Sequence, residues 1–188
     1  MLRENGATAS QLSRSITMDV MIDNCVVDRF ASAGLNPVVA LRGTEFVLRY
    51  TPDLEREYRQ KLHHPSASPE ARALAEAILE SGTLIGFFGF EEPYLGFDQG
   101  VFAEEDQAQV IGSIKTKQNR KGPIPRNRTD SGLVAFAKDL LVLTDNTTDS
   151  HWKRAPLGKG RVIWWEEFRQ TLQREGDIAK ALRTFVRS

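Results

Sequence analysis

Cysteine is almost missing from this chain. Cys25 is the one residue of its kind among 188, which excludes an intrachain disulfide and fits an intracellular protein. Net charge is missing as well. Lys plus Arg and Asp plus Glu each number 25, so no global field draws in nucleic acid, and any such attraction must come from local charge separation. No apolar run approaches the length of a membrane span. The opening "MLRENGATASQLSRS" has no apolar core of a secretory signal. A cytoplasmic protein without a membrane partner is expected. No GxGxxG leads from a strand into a helix, so a dinucleotide fingerprint is absent. His63 and His64 precede a proline in an expected loop, with no Cys or His cluster that would make them zinc ligands. There is no internal repeat.

What is present suits one compact globular domain. The chain is 40% hydrophobic and 27% charged, enough to build a core at this length. The polar stretch 1–15 reads as a flexible lead-in, and residues 16–188 as a single domain. "ITMDVMID" alternates, with Ile16, Met18, Val20 and Ile22 on one face, and reads as a buried strand ending at Asp23. "NCVVDRFASAG" reads as a helix stopped by Gly34. "EFVLRYTP" is a second strand, after which Thr51 or Asp53 starts the helix "DLEREYRQKL". Ser68 is a plausible N-cap for "PEARALAEAILES", which carries proline at its first position. Residues 82–102 form a stretch rich in glycine and aromatics, read as an insertion. "AEEDQAQVIGSIKTK" is an expected helix, "QNRKGPIPRNR" a basic loop, "TDSGLVAFAKD" a helix and "LLVLTD" a strand. "RVIWW" is a last strand, followed by helices in "EEFRQTLQREG" and "DIAKALRTFV". Strands alternating with helices imply a parallel sheet flanked by helices, with functional groups just past the strands' carboxyl ends.

Four acids stand out by position. Asp23 and Asp145 each end an apolar strand, Glu57 sits in the helix after the second strand, and Asp130 opens a late helix. Each has a local alternative. Asp23 fits a helix cap, Glu57 a surface pair with Lys61 one turn on, Asp130 a favourable charge at a helix start, and Asp145 with Asn146 a turn. Asp19 would share a strand face with Asp23 about 13 Å away and is secondary. If the four carboxylates gather, they must be compensated, because two unit charges about 4 Å apart repel by about 4 kcal/mol at an effective dielectric near 20. A hard divalent cation such as Mg²⁺ or Mn²⁺ is the usual partner of such oxygen ligands.

In the order of these blocks the chain resembles the PIN-domain ribonucleases. "VMIDNCVV" resembles their first block, "TPDLEREYRQKL" the second, "RTDSGLVAFA" the third and "LVLTDNTTDS" the fourth. The resemblance spans roughly Ile16 to Leu172 and rests on joint order and spacing. It departs where Asn24 and Cys25 follow the first acid. It departs again after Thr144, where the fourth acid stays open between Asp145 and Asp149, with Asn146 as a neutral substitute. The resemblance implies a three-layer, Rossmann-like α/β fold. It implies Mg²⁺- or Mn²⁺-dependent hydrolysis of RNA, with Asp23, Glu57 and Asp130 holding metal, Asp145 aiding through water, and 5′-phosphate and 3′-hydroxyl products. It also implies an antitoxin protein partner, if the chain is the toxin half of such a pair; a homo-oligomer is a separate expectation.

Between Lys115 and Arg128 stand Lys115, Lys117, Arg120, Lys121, Arg126 and Arg128, with no acid among them. Beside an acidic site this run would contact RNA phosphates without reading sequence. Its alternatives are a solvated loop or a partner for the acids from Glu91 to Asp106. Phe87, Phe88, Phe90, Tyr94 and Phe97 would stack on bases, or pack as core or an oligomer contact. Trp164 and Trp165 should place at least one ring inside. Cys25 reads as a small buried apolar residue. Two rival functions remain in view: a catalytically inactive PIN-like RNA-binding or assembly module, and an unrelated sugar- or nucleotide-binding α/β domain whose acids are caps and turns.

Overall fold

A computed structural model describes residues 17–87, 100–113, 128–147, 152, 158 and 160–186. Five parallel strands form its central sheet: β1 (Met18–Ile22), β2 (Phe46–Tyr50), β3 (Thr83–Leu84), β6 (Leu141–Thr144) and β7 (Arg161–Trp164), in the order β3-β2-β1-β6-β7. A second, two-stranded parallel sheet pairs β4 (Gly86–Phe87) with β5 (Gly100–Val101). The helices are α1 (Asn24–Ser32), α2 (Pro37–Leu41), α3 (Pro52–His63), α4 (Pro69–Ser81), α5 (Glu105–Ser113), α6 (Arg128–Phe136), α7 (Trp165–Glu175) and α8 (Ile178–Arg183). The expected α/β class with a helix-flanked parallel sheet is the observed one.

The central strands show why the sheet is covered on both sides. Successive residues of a strand face opposite ways, yet Val20, Met21 and Ile22 are all buried, as is every residue of β6. Parallel sheets need this double cover. The alternation in β1 therefore marks only its first residues, and Met21 is as much core as Val20. Helix starts follow local chemistry. The side chains of Thr51, Ser68 and Asp177 accept from backbone N–H groups three residues on, at 3.2, 3.1 and 2.8 Å. Proline occupies the first position of both α3 and α4. Gly34 and Gly176 end α1 and α7 in the left-handed region, at φ 66° and 69°. Asn36 caps the five-residue α2, which the sequence reading passed over.

Aromatic packing ties the layers together. Phe30 of α1 meets Trp165 and Phe168 of α7 edge-on, with ring centres 5.1 and 5.7 Å apart. Phe87 stacks on Phe136 of α6 at 4.0 Å. Phe87 is thus core rather than a base-stacking platform, whereas Phe88, Phe90, Tyr94 and Phe97 lie outside the described residues. Trp165 is buried and Trp164 half-buried, as expected for the pair. Among the described residues, no helix is long and apolar enough to cross a membrane.

The strand order turns at its centre. From β1 the chain moves to β2 and then β3 on one side, while β6 and β7 lie on the other. The crevice beyond the carboxyl ends of β1 and β6 is therefore the topological switch point, where open α/β sheets place their ligands.

Candidate functional site

Asp23 and Asp145 come side by side at this crevice, because β1 and β6 are direct neighbours. The ladder runs to the last residue, with the Asp23 N–H donating to the Leu143 carbonyl at 2.8 Å. Asp23 occupies the N-cap position of α1, yet its side chain makes no capping bond. Its buried carboxylate turns across the sheet instead. Oδ2 accepts from the Thr144 hydroxyl at 2.6 Å and from the Cys25 thiol at 3.1 Å, whereas no described residue hydrogen-bonds Oδ1. The helix-cap alternative for Asp23 gives way to a carboxylate oriented by two donors.

Cys25 links the two strand ends. Its sulfur also accepts from the Asp145 N–H at 3.3 Å. Burial, and then the adjacent Asp23 carboxylate, push the thiol up to about 12, so it stands as a neutral donor rather than a nucleophile. Next to Asp23, the Asn24 Oδ1 is buried and accepts no hydrogen bond among the described residues.

Glu57 reaches the same rim from α3. The neighbouring Tyr58, fully buried, donates its hydroxyl to the Ile22 carbonyl and so fixes α3 over the end of β1. Burial pushes the Glu57 carboxyl up to about 7. Asp23, Asp130 and Asp53 push in the same direction, and a hydrogen bond from Thr129 partly offsets them. That bond, Thr129 Oγ1 to Glu57 Oε1 at 2.6 Å, joins the start of α6 to α3. Asp130, in the first turn of α6, is thereby brought into electrostatic range of Glu57. The Glu57–Lys61 pair, the alternative to a site role for Glu57, does not form. Lys61 is buried and bonds Asp28 of α1 at 2.7 Å, while Glu57 faces the crevice.

Asp145 is differently engaged. Arg29 of α1 places Nε and Nη2 both 2.7 Å from its Oδ2. Asp145 is thus ion-paired, and the neighbouring Asn146 donates its N–H to Thr144 Oγ1 at 3.1 Å. Asp149 lies outside the described residues. So do Lys115, Lys117, Arg120, Lys121 and Arg126, while Arg128 is the first residue of α6. The acids proposed as partners of that basic run have another partner in part, since Lys138 pairs with Glu104 at 2.6 Å and with Asp106 at 2.8 Å. Asp19 pairs with Arg49 of β2 at 3.0 Å, away from the crevice. His63 and His64 are exposed, as expected of surface residues.

Several members of this constellation were not picked out from the sequence: Thr129, Thr144, Arg29 and the buried Asp53, which pairs with Arg56 at 2.9 Å. A usable signal was there, since a threonine directly precedes both Asp130 and Asp145.

The donor set is carboxylate oxygen with an adjacent amide oxygen, which is hard-cation chemistry. Among the described residues no group of three or more His, Cys, Asp or Glu side chains could itself hold a metal ion. A hard cation bound by one or two carboxylates keeps most of its shell as water. Compared with models of protein families, with curated proteins and with solved structures, the chain matches none.

Proposed function

We propose that the chain is a Mg²⁺- or Mn²⁺-dependent endoribonuclease of the PIN type. The observation that carries this reading is Glu57. Its carboxyl is pushed up to about 7 by burial and then by Asp23, Asp130 and Asp53, so a cation at the rim would relieve a charge conflict built into the fold. Two of Asp23, Glu57 and Asp130 would hold the ion directly and the third would reach it through water. Once bound, it would polarise a phosphoryl oxygen and yield a nucleophilic water at neutral pH. The chain's own groups do the rest. Thr144 and Cys25 aim Asp23, leaving its Oδ1 open. Thr129 orients Glu57, and Glu57 must lose its proton before it can serve as a ligand. Arg29 holds Asp145 at the rim.

One observation favours the rival, a PIN-like module that binds RNA without cutting it. The Arg29 guanidinium neutralises Asp145, one of the two candidates for the fourth acid. Thermal unfolding in EDTA and then in millimolar Mn²⁺ tests the metal site, because a ligand of the folded state alone raises the midpoint. No shift rejects it. If the midpoint rises, incubation with single-stranded RNA separates the two readings. Cleavage abolished by Asp23→Asn and by Asp130→Asn supports the nuclease. Metal binding without cleavage supports the module.

A further inference from the structure

At the opposite end of the sheet, Arg161 opens β7 and lines a cleft of about 350 Å³ with Glu167, Gln170, Thr171, Arg174, Thr184 and Phe185. The strands are parallel, so this amino-terminal edge is remote from the rim that carries Asp23 and Asp145. We propose that the cleft binds a small phosphate-bearing anion, and this proposal stands independently of the nuclease reading.

The wall is built by helical spacing. Glu167, Gln170, Thr171 and Arg174 lie three or four residues apart along α7 and so share one face. Arg161 is held from two sides. Its Nη2 meets Glu167 Oε1 at 2.9 Å, and its guanidinium carbon lies 4.9 Å from the centre of the Phe185 ring. Arg174 is held by a neutral group, donating from Nη2 to Thr171 Oγ1 at 3.2 Å. Among the described residues Arg174 has no carboxylate partner, and most N–H donors of both guanidiniums stay free. The cleft therefore sets two cations against one carboxylate. Guanidinium forks match phosphate oxygens in pairs, and the cleft's net charge of one positive favours an anion that carries such oxygens. The volume is at the low end for ligand pockets, which suits a phosphate monoester. The shared chemistry is the anionic phosphoryl group, carried either by free inorganic phosphate or by a nucleotide.

The test uses the full chain in EDTA, so that no metal bridges phosphate to the acid rim. Thermal midpoints are measured against increasing inorganic phosphate and, separately, adenosine 5′-monophosphate, with chloride holding ionic strength constant. Phosphorus NMR line widths report binding directly. A saturable rise in midpoint is expected, with affinity at least about tenfold weaker in Arg174→Gln. Gln170→Glu, which adds a carboxylate to the same wall, should weaken it as well. A stronger response to the nucleotide assigns the nucleotide as the source, and an equal response assigns the phosphate group alone. No rise beyond that of chloride, or a rise unchanged in both variants, overturns the proposal.

Discussion

The hydroxyl of Thr144, the last residue of β6, donates to Asp23 Oδ2 at 2.6 Å across two neighbouring parallel strands. The Cys25 thiol donates to the same oxygen. Both donors thus serve Oδ2, and no described residue hydrogen-bonds Oδ1. A buried acid tolerates its surroundings when it is hydrogen-bonded, and here the bonds also fix its direction. Each strand-end aspartate is thus met by a side chain from another element, Asp23 by Thr144 of β6 and Asp145 by Arg29 of α1.

Thr144→Val removes the donor while keeping the shape. It should destabilise the folded chain by about 1–3 kcal/mol, the usual cost of leaving a buried polar partner unmet. Thr144→Ser should recover most of the loss. Urea unfolding of the three proteins measures it, and equal midpoints for Val and wild type would show that the bond contributes nothing.

The fold was largely legible because its longer elements obey local rules. Apolar runs bounded by glycine or acid gave β1, β2, β6 and β7, and capping threonine, serine and proline marked α3 and α4. Shorter elements escaped. Five residues of α2 and two of β3 are too few to show a period. The acids of the site were legible as charges bounding core elements. Their partners were not, because partnership is long-range: Thr129 lies 72 positions from Glu57, and Arg29 116 from Asp145. The nearest basic residue on the same helix face, Lys61, looked like the natural mate of Glu57. It went instead to Asp28, 33 positions away.

Glu57 predicts a pH dependence of stability. Its carboxyl rises from 4.5 to about 7 on folding, chiefly through burial. The folded chain therefore holds this proton to higher pH than the unfolded chain. Stability falls as pH climbs from about 4.5 to 7, by up to roughly 3 kcal/mol, and the penalty is complete above that window. Glu57→Gln still accepts from Thr129 but has no charge to bury. Unfolding measured from pH 5 to 8 should show a flatter profile for the variant and a more stable protein at pH 8. A variant less stable than wild type at pH 8 would contradict the assignment.

Cys25 should resist alkylation. The rise of its thiol from 9.0 to about 12 cuts the thiolate fraction near neutral pH by roughly a thousandfold, and thiolate is the reacting species. Iodoacetamide at pH 8, followed by mass spectrometry, should label the folded chain slowly and the urea-unfolded chain fast. Labelling of the folded chain at the unfolded rate would place the sulfur outside the Asp23–Asp145 bridge.

Arg29 predicts how the rim responds to a cation. The guanidinium is more than half exposed, at 56%, against 23% for the Asp145 side chain, so screening by water keeps the pair's contribution to stability below about 1 kcal/mol. Its effect on a metal is larger in kind. Arg29→Gln withdraws the positive charge paired with Asp145 and leaves that acid uncompensated, which deepens the negative potential of the crevice. Mn²⁺ should then bind the variant more tightly than wild type, while urea midpoints without metal change little. Calorimetric titration with Mn²⁺ measures the difference. Weaker binding in the variant would mean that Arg29 serves the ion by holding Asp145 in place, and that electrostatic relief is the lesser effect.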